Sequence, residues 1–277
     1  MQTTRRRDAP REMYRGSAAA DHNMVYVTPE STNNIYQYHV RDDKWKKLPS
    51  SPYQDSGLVV RDNTLVAIGG VQTNNFMKKV FSLRGKKWKE DLPPLNNARS
   101  SPAVATHSTY IFAIGGYSDF NTRVATVEIL EQYSKWTVLD NLPHPLPHPS
   151  ATVCGSKFYV VGANGDGYSC SLSQIATSSH PMRSPPVLTW TPIPPSPVTR
   201  STIACLSNKP LLVGGADRNT HAYSPTIYIL SQGQWVECGS LSDGRYYCLV
   251  ASLSEKEMVV VGDLGGHPNM VELCSVV

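Results

Sequence analysis

Charge is what this sequence has least of. Only 17% of its 277 residues are Asp, Glu, Lys or Arg, and 26 basic against 22 acidic side chains leave a net charge of +4. With 40% hydrophobic residues the chain is too apolar, and its net charge too small, for a disordered segment. Long apolar runs are missing too. Nothing approaches the roughly 20 residues that cross a bilayer, the longest strand-like stretches being of the length of Met258-Val259-Val260-Val261. The N-terminus reads Arg5-Arg6-Arg7-Asp8-Ala9-Pro10, without the apolar core of a secretion signal. No Asn-x-Ser/Thr acceptor occurs. Cysteine is absent from the N-terminal half, and Cys154, Cys170, Cys205, Cys238, Cys248 and Cys274 show no C-x-x-C spacing. These absences point to a reduced, cytoplasmic setting in which the cysteines act as small buried hydrophobes. What is plentiful is Gly (19), Pro (21), Ser and Thr, the composition of many short strands joined by turns. The length allows one large all-β domain or two ordinary ones.

A repeat decides between these. A β-branched run ending in glycine recurs as Leu65-Val66-Ala67-Ile68-Gly69-Gly70, Ile111-Phe112-Ala113-Ile114-Gly115-Gly116, Phe158-Tyr159-Val160-Val161-Gly162-Ala163 and Leu211-Leu212-Val213-Gly214-Gly215, with a weaker copy at Met258–Gly262. The first glycines are 46, 47, 52 and 48 residues apart. Trp45, Trp88, Trp136, Trp190 and Trp235 keep a second register. Each unit holds an apolar strand, a turn, a strand ending at the glycines, a polar loop, an alternating strand such as Thr126-Val127-Glu128-Ile129-Leu130, and a strand carrying Trp. Four short strands in about 46 residues is the build of a propeller blade.

The succession Arg, apolar run, Gly-Gly, Val-Glu and Trp resembles the kelch repeat over essentially the whole chain. The resemblance implies an all-β, six-bladed kelch-type β-propeller with four antiparallel strands per blade. The single domain would hold blades at about 14–50, 54–95, 98–143, 147–195, 199–241 and 244–277. The sixth unit ends without its Trp strand, and in kelch-like propellers a strand from the other terminus often completes the ring. Residues 2–7 are therefore expected to be the outer strand of blade six.

Function is expected on the loops of one face. In kelch proteins that capture peptides, contacts come from residues just after Gly-Gly and from the start of the innermost strand. The resemblance carries these onto Gln72, Tyr117, Asn164 and Asp217, and onto Arg15, Arg99, Ser100, His148, Arg200, Ser201, Arg245 and Tyr246. Four of them are arginines, which would circle one mouth of the channel and suit an acidic or phosphorylated peptide. The implied role is non-catalytic protein or peptide binding by a monomeric domain, as the substrate-recognition part of a ubiquitin ligase adaptor or as an actin binder.

A kelch-type metal-dependent enzyme, oxidase or specifier-like, is the alternative. No zinc-helix, phosphate-loop or nucleophile-elbow motif supports it. Asp217 and His221 keep part of an iron-binding spacing, but Val213 stands where that spacing needs Glu. No catalytic residue, metal or cofactor is expected, and neither nucleic acid nor membrane insertion. Two features have no assigned role. Residues 1–100 carry an excess of seven positive charges, much of it on lysines beside outer strands (Lys44, Lys46, Lys47, Lys78, Lys79, Lys86, Lys87, Lys89). A Pro/Ser-rich insertion spans 176–186.

Overall fold

The computed structural model describes residues 1–131, 134–175, 187–262 and 268–276; the 176–186 insertion lies outside these. The short apolar runs form strands and pair into six four-stranded antiparallel sheets. Each innermost strand packs against the innermost strands of its two neighbours, so the sheets close into a six-bladed propeller. Blade 1 consists of Ser17–Asp21, Met24–Thr28, Ile35–His39 and Lys44–Leu48. The innermost strands of blades 2 to 6 are Gly57–Arg61, Ala103–His107, Ser150–Cys154, Thr202–Leu206 and Leu249–Ser252. The ring closes as expected. Gln2–Arg5 pairs antiparallel with Val271–Ser275, from Gln2 opposite Ser275 to Arg5 opposite Glu272, and supplies the missing outer strand of blade 6.

Six apolar clusters fill the six seams between blades. Val59, Ile68 and Leu92 of blade 2 meet Ile111, Leu130 and Trp136 of blade 3, and Val25, Tyr38 and Val40 of blade 1 meet Leu249, Val259 and Val271 of blade 6. The tryptophans do more than fill space. Each indole N–H donates to a backbone carbonyl of the preceding blade: Trp45 to Arg7 (3.2 Å), Trp88 to Pro49 (3.0 Å), Trp136 to Pro93 (2.9 Å), Trp190 to Asp140 (3.2 Å) and Trp235 to Pro194 (2.8 Å). A large apolar ring with one donor at its edge suits a seam that is dry inside and polar at the rim.

The glycine pairs serve the same seams. Gly70 (φ +116°) donates its N–H to the Arg99 carbonyl of blade 3 at 2.8 Å, and Gly215 (φ +123°) donates to the Arg245 carbonyl of blade 6 at 2.7 Å. A Cβ at either position would collide with backbone oxygens (Gln54 and Thr199), which is why no other residue serves there.

The blade 4–5 seam is the thinnest among the described residues. Its buried cluster is Val161, Ile193, Ile203 and Leu212, and the outer strand of blade 4 is only Thr191–Pro192. Here the expectation for the cysteines is corrected. Cys154 and Cys205, on the innermost strands of blades 4 and 5, form a disulfide across this seam, closing a separation of 51 residues. Cys170, Cys248 and Cys274 are buried thiols, and Cys238 is half-buried. Burial pushes the Cys170 thiol up to about 12 and leaves it unreactive.

Deleting residues 1–10 removes the outer strand of blade 6 and the carbonyl that holds Trp45; thermal unfolding by circular dichroism is expected to fall by several degrees or to lose cooperativity, and an unchanged curve refutes the closure. Replacing Cys154 and Cys205 by Ala is expected to cost about 2–4 kcal/mol against the oxidised protein, the range for a bridge closing a loop this long. Hydrogen exchange should then rise first along the blade 4–5 seam. Equal urea midpoints with and without reductant would contradict this.

Candidate functional site

All six innermost strands are entered through one backbone feature. The residue two positions before each strand is non-glycine with positive φ: Arg15 (45°), Asp55 (53°), Ser101 (46°), His148 (39°), Arg200 (58°) and Tyr247 (55°). Left-handed geometry costs an ordinary residue on the order of 1 kcal/mol, so these turns persist because the ring holds them. Backbone bonds do so from blade to blade: Arg15 N–H to the Tyr247 carbonyl (2.8 Å), Ser101 N–H to the Asp55 carbonyl (2.8 Å) and Tyr247 N–H to the Arg200 carbonyl (2.9 Å). Arg15, Ser101, His148 and Tyr247 line a cavity of about 120 Å³ at this mouth of the channel, together with Ser201. The Ser201 hydroxyl is buried there and has no hydrogen-bond partner among the described residues.

Four positions before the strand, the side chain turns instead into its own blade. Arg99 and Arg245 occupy this position and are 0% and 1% exposed. Arg99 donates to the Gly115 carbonyl (3.1 Å), the Thr126 carbonyl (2.9 Å) and the Glu128 carboxylate (2.6 Å). Glu128 also accepts the backbone N–H groups of Asn96 (2.7 Å) and Asn97 (3.1 Å). Arg245 pairs with Glu272 at 3.3 Å. Burial pulls the Arg99 guanidinium below its ordinary value, and the charge of Glu128 opposes that pull. In blade 2 the same two places hold Tyr53 and Phe81, edge to face at 5.3 Å. The expected ring of four arginines is therefore corrected: Arg99 and Arg245 brace blades, Arg15 lines the mouth cavity, and Arg200 lies beside it against the rings of Tyr246 and Tyr247.

Of the other residues expected at the site, His148 and Ser201 line the mouth cavity, and Tyr117 and Tyr246 stand beside it in ring contact with His148 and Tyr247. Ser100 is buried beside Tyr117, paired to it through the backbone. Gln72, Asn164 and Asp217 do not line the mouth. Gln72 sits in a tight hairpin, Asn164 donates to Asp166, and the Asp217 carboxylate accepts the Asn219 and Thr220 N–H groups. Those bonds hold the Asp217 carboxyl below its ordinary value and commit it to the turn. Val213 is fully buried, and among the described residues no group of three or more His, Cys, Asp or Glu is placed to hold a metal.

Asp55, Ser101, Tyr223 and Tyr247 were not anticipated. Counting back two residues from each strand start would have found three of them. Tyr247 is central to an aromatic belt running Tyr223–Tyr246 (4.7 Å between centroids), Tyr246–Tyr247 (5.5 Å), Tyr247–His148 (5.6 Å) and His148–Tyr117 (5.4 Å). Guanidinium groups flank it, Arg15 lying 4.2 Å over the Tyr247 ring and Arg200 5.3 Å from that of Tyr246. Arg15 is also paired with Glu30 at 3.1 Å.

Burial, with the charges of Arg15 and Arg123, lowers the His148 imidazole to about 4. It is therefore neutral in the native state, while in the unfolded chain it titrates near 6.5. Between those values the unfolded chain binds the extra proton, so stability falls as the pH drops through that window. Urea unfolding at pH 7 and pH 4.5 should show a smaller acid loss for His148→Gln than for the parent; equal losses would remove this role.

Residues 98–143, the whole of blade 3, match the kelch motif. Kelch-like protein 38 of Rattus norvegicus is 22% identical over 245 residues, covering 84% of this chain and 40% of the relative. Alpha-scruin of Limulus polyphemus is 23% identical over 84% of this chain and 27% of its own length. The chain thus spans less than half the length of these relatives. A solved structure of YjhT superposes with a TM-score of 0.77 at 15% identity, covering 97% of this chain and 96% of that one, a likeness of fold alone. The chain is thus a six-bladed β-propeller whose third blade matches the kelch motif and whose sequence is similar to kelch-like proteins over most of its length.

Proposed function

We propose that this propeller is a non-catalytic binding module that holds a segment of a partner protein against the mouth formed by Arg15, His148, Arg200, Tyr246 and Tyr247. The aromatic belt carries this reading. Tyrosine and arginine are the side chains that most often dominate interface energetics, and here they stand on turns fixed by the ring, so little ordering entropy is lost on binding. The unpartnered Ser201 hydroxyl adds a hydrogen-bonding group at the floor. Substrate recognition for a ubiquitin ligase and attachment to actin would both use such a surface, and the kelch-like and scruin relatives favour this class of role over an enzyme. An acidic or phosphorylated segment would meet Arg200 and the tyrosines, since Arg15 is already engaged with Glu30.

The test is affinity capture from cell extract with three proteins. The double variant Arg200→Ala/Tyr246→Ala is expected to lose specific partners at an unchanged Tm. Arg99→Ala, which leaves Glu128 buried and unpaired, is expected to lose about 3–5 kcal/mol of stability. Partners retained in full by the double variant would sink the proposal, as would a stoichiometric metal in the purified protein.

A further inference from the structure

Beside the mouth, between blades 1, 2 and 3, lies a second recess of about 420 Å³, within the general range of ligand pockets. Its chemistry differs from that of the belt. Glu30, Asp55 and Asp119 bring three carboxylates to it, against the single cation Arg123. Phe76 and Phe120 form an edge-to-face wall with centroids 5.2 Å apart, and Phe120 is 63% exposed. An exposed phenyl over a recess leaves apolar area that a ligand can cover.

The two deepest carboxylates are not equivalent. Glu30 has its cation in Arg15 at 3.1 Å. Asp55 accepts one hydrogen bond, from the Ser31 N–H at 2.6 Å, and among the described residues no cation pairs with it. Burial pushes its carboxyl above the ordinary value, and the Asp55 charge in turn adds to the upward push that burial exerts on Glu30. A half-buried carboxylate facing a like charge, with no counter-ion, is the group a cationic ligand stabilises most. Asp119 is spent differently, accepting the Asn121 and Thr122 N–H groups (both 2.8 Å) in its own turn, and contributes only its charge at the rim.

We propose that this recess takes an arginine side chain from the bound partner segment, its guanidinium on Asp55 and its stem along Phe76 and Phe120. Arginine fits both walls, since its planar fork matches a carboxylate and its flat face stacks on an aromatic ring. The recess shares Ser101 and His148 with the mouth cavity, so one extended segment can reach both. The inference rests on the proposed function in assigning this side chain to a partner protein, but the recess itself can be probed without any partner.

The probe is Nα-acetyl-arginine amide, titrated into the isotope-labelled full chain and followed by amide chemical shifts. Saturable shifts are expected at Ser31, Asp55 and Phe120, and at least tenfold smaller ones with the uncharged citrulline counterpart or with Nα-acetyl-glutamate amide. Asp55→Asn, which keeps the acceptor for Ser31, should weaken binding at least fivefold. Phe120→Ala, at an exposed position that endangers no core, should weaken it about threefold. Equal response to citrulline, or unchanged affinity in both variants, overturns the inference. If arginine amide misses the recess while Arg200→Ala/Tyr246→Ala still strips partners, this inference fails and the proposed function stands. Arginine binding in a protein whose partners ignore the mouth variants would leave the recess assigned and the proposed function refuted.

Discussion

Every seam of the ring has to be closed at once, and the bond that does this most visibly is the tryptophan indole reaching back to the preceding blade. A four-stranded sheet with polar outer edges has little reason to stay upright beside its neighbour. A Trp on the outer strand supplies a large apolar surface to the seam and one directional bond to the neighbouring chain, from Trp45 on Arg7 to Trp235 on Pro194. Blade 6 lacks its own Trp and is completed by Gln2–Arg5. The chain just after that strand then supplies the Arg7 carbonyl that Trp45 needs. Joining the two termini therefore completes the blade 6 sheet and, through the indole, ties the 6–1 seam.

Closure also explains why the mouth can carry costly backbone geometry. Arg15, Asp55, Ser101, His148, Arg200 and Tyr247 all have positive φ, and three of the six donate a backbone bond to the same position in the preceding blade. In an isolated hairpin a β-carbon at that angle would relax the turn. In the ring, relaxing one turn means breaking the bond to the next. The positions are thus fixed in space but free in residue type, which is how one scaffold presents two arginines, a histidine, a tyrosine, an aspartate and a serine at equivalent places.

The period of about 46 residues, the glycine ends and the tryptophan register were legible because they are local and repeat. The fold follows from them, including the terminal strand, since a unit without its Trp strand leaves an edge that must be covered. The site was legible only in part. Arg15, Arg99, Arg200 and Arg245 look alike in sequence, yet a difference of two residues in distance from the strand sends Arg15 and Arg200 to the mouth and Arg99 and Arg245 into their blades. The signal for the buried pair was present in the glutamates of Val127-Glu128 and Val271-Glu272, because a buried arginine requires a carboxylate opposite it. Blade 3 alone holds Arg99, Gly115-Gly116, Val127-Glu128 and Trp136 together, and it is the blade that matches the kelch motif. The disulfide and the aromatic belt were not legible at all. Cys154 and Cys205 lie 51 residues apart on different blades, and Tyr117 meets His148 only because neighbouring blades enter the mouth side by side.

The excess of positive charge in the first hundred residues takes on a different meaning once its placement is known. Its lysines stand on the outer strands of blades 1 and 2, Lys44–Leu48 and Lys87–Leu92, where Lys44, Lys46, Lys47, Lys87 and Lys89 are exposed. Lysine on an outer strand has a plain physical use, because it repels any second sheet edge that would add to the blade. Lys79 and Arg84 are in part neutralised by Glu90 and Asp91. On the mouth face of these same blades the balance reverses, with Glu30 and Asp55 drawn into the recess and Asp119 beside it. The basic third of the sequence thus folds into basic outer strands and contributes two carboxylates to an acidic recess. A cationic side chain meets like charge along those outer strands and opposite charge only in the recess, so the net charge that the sequence displays is opposite in sign to that of the carboxylates lining the recess.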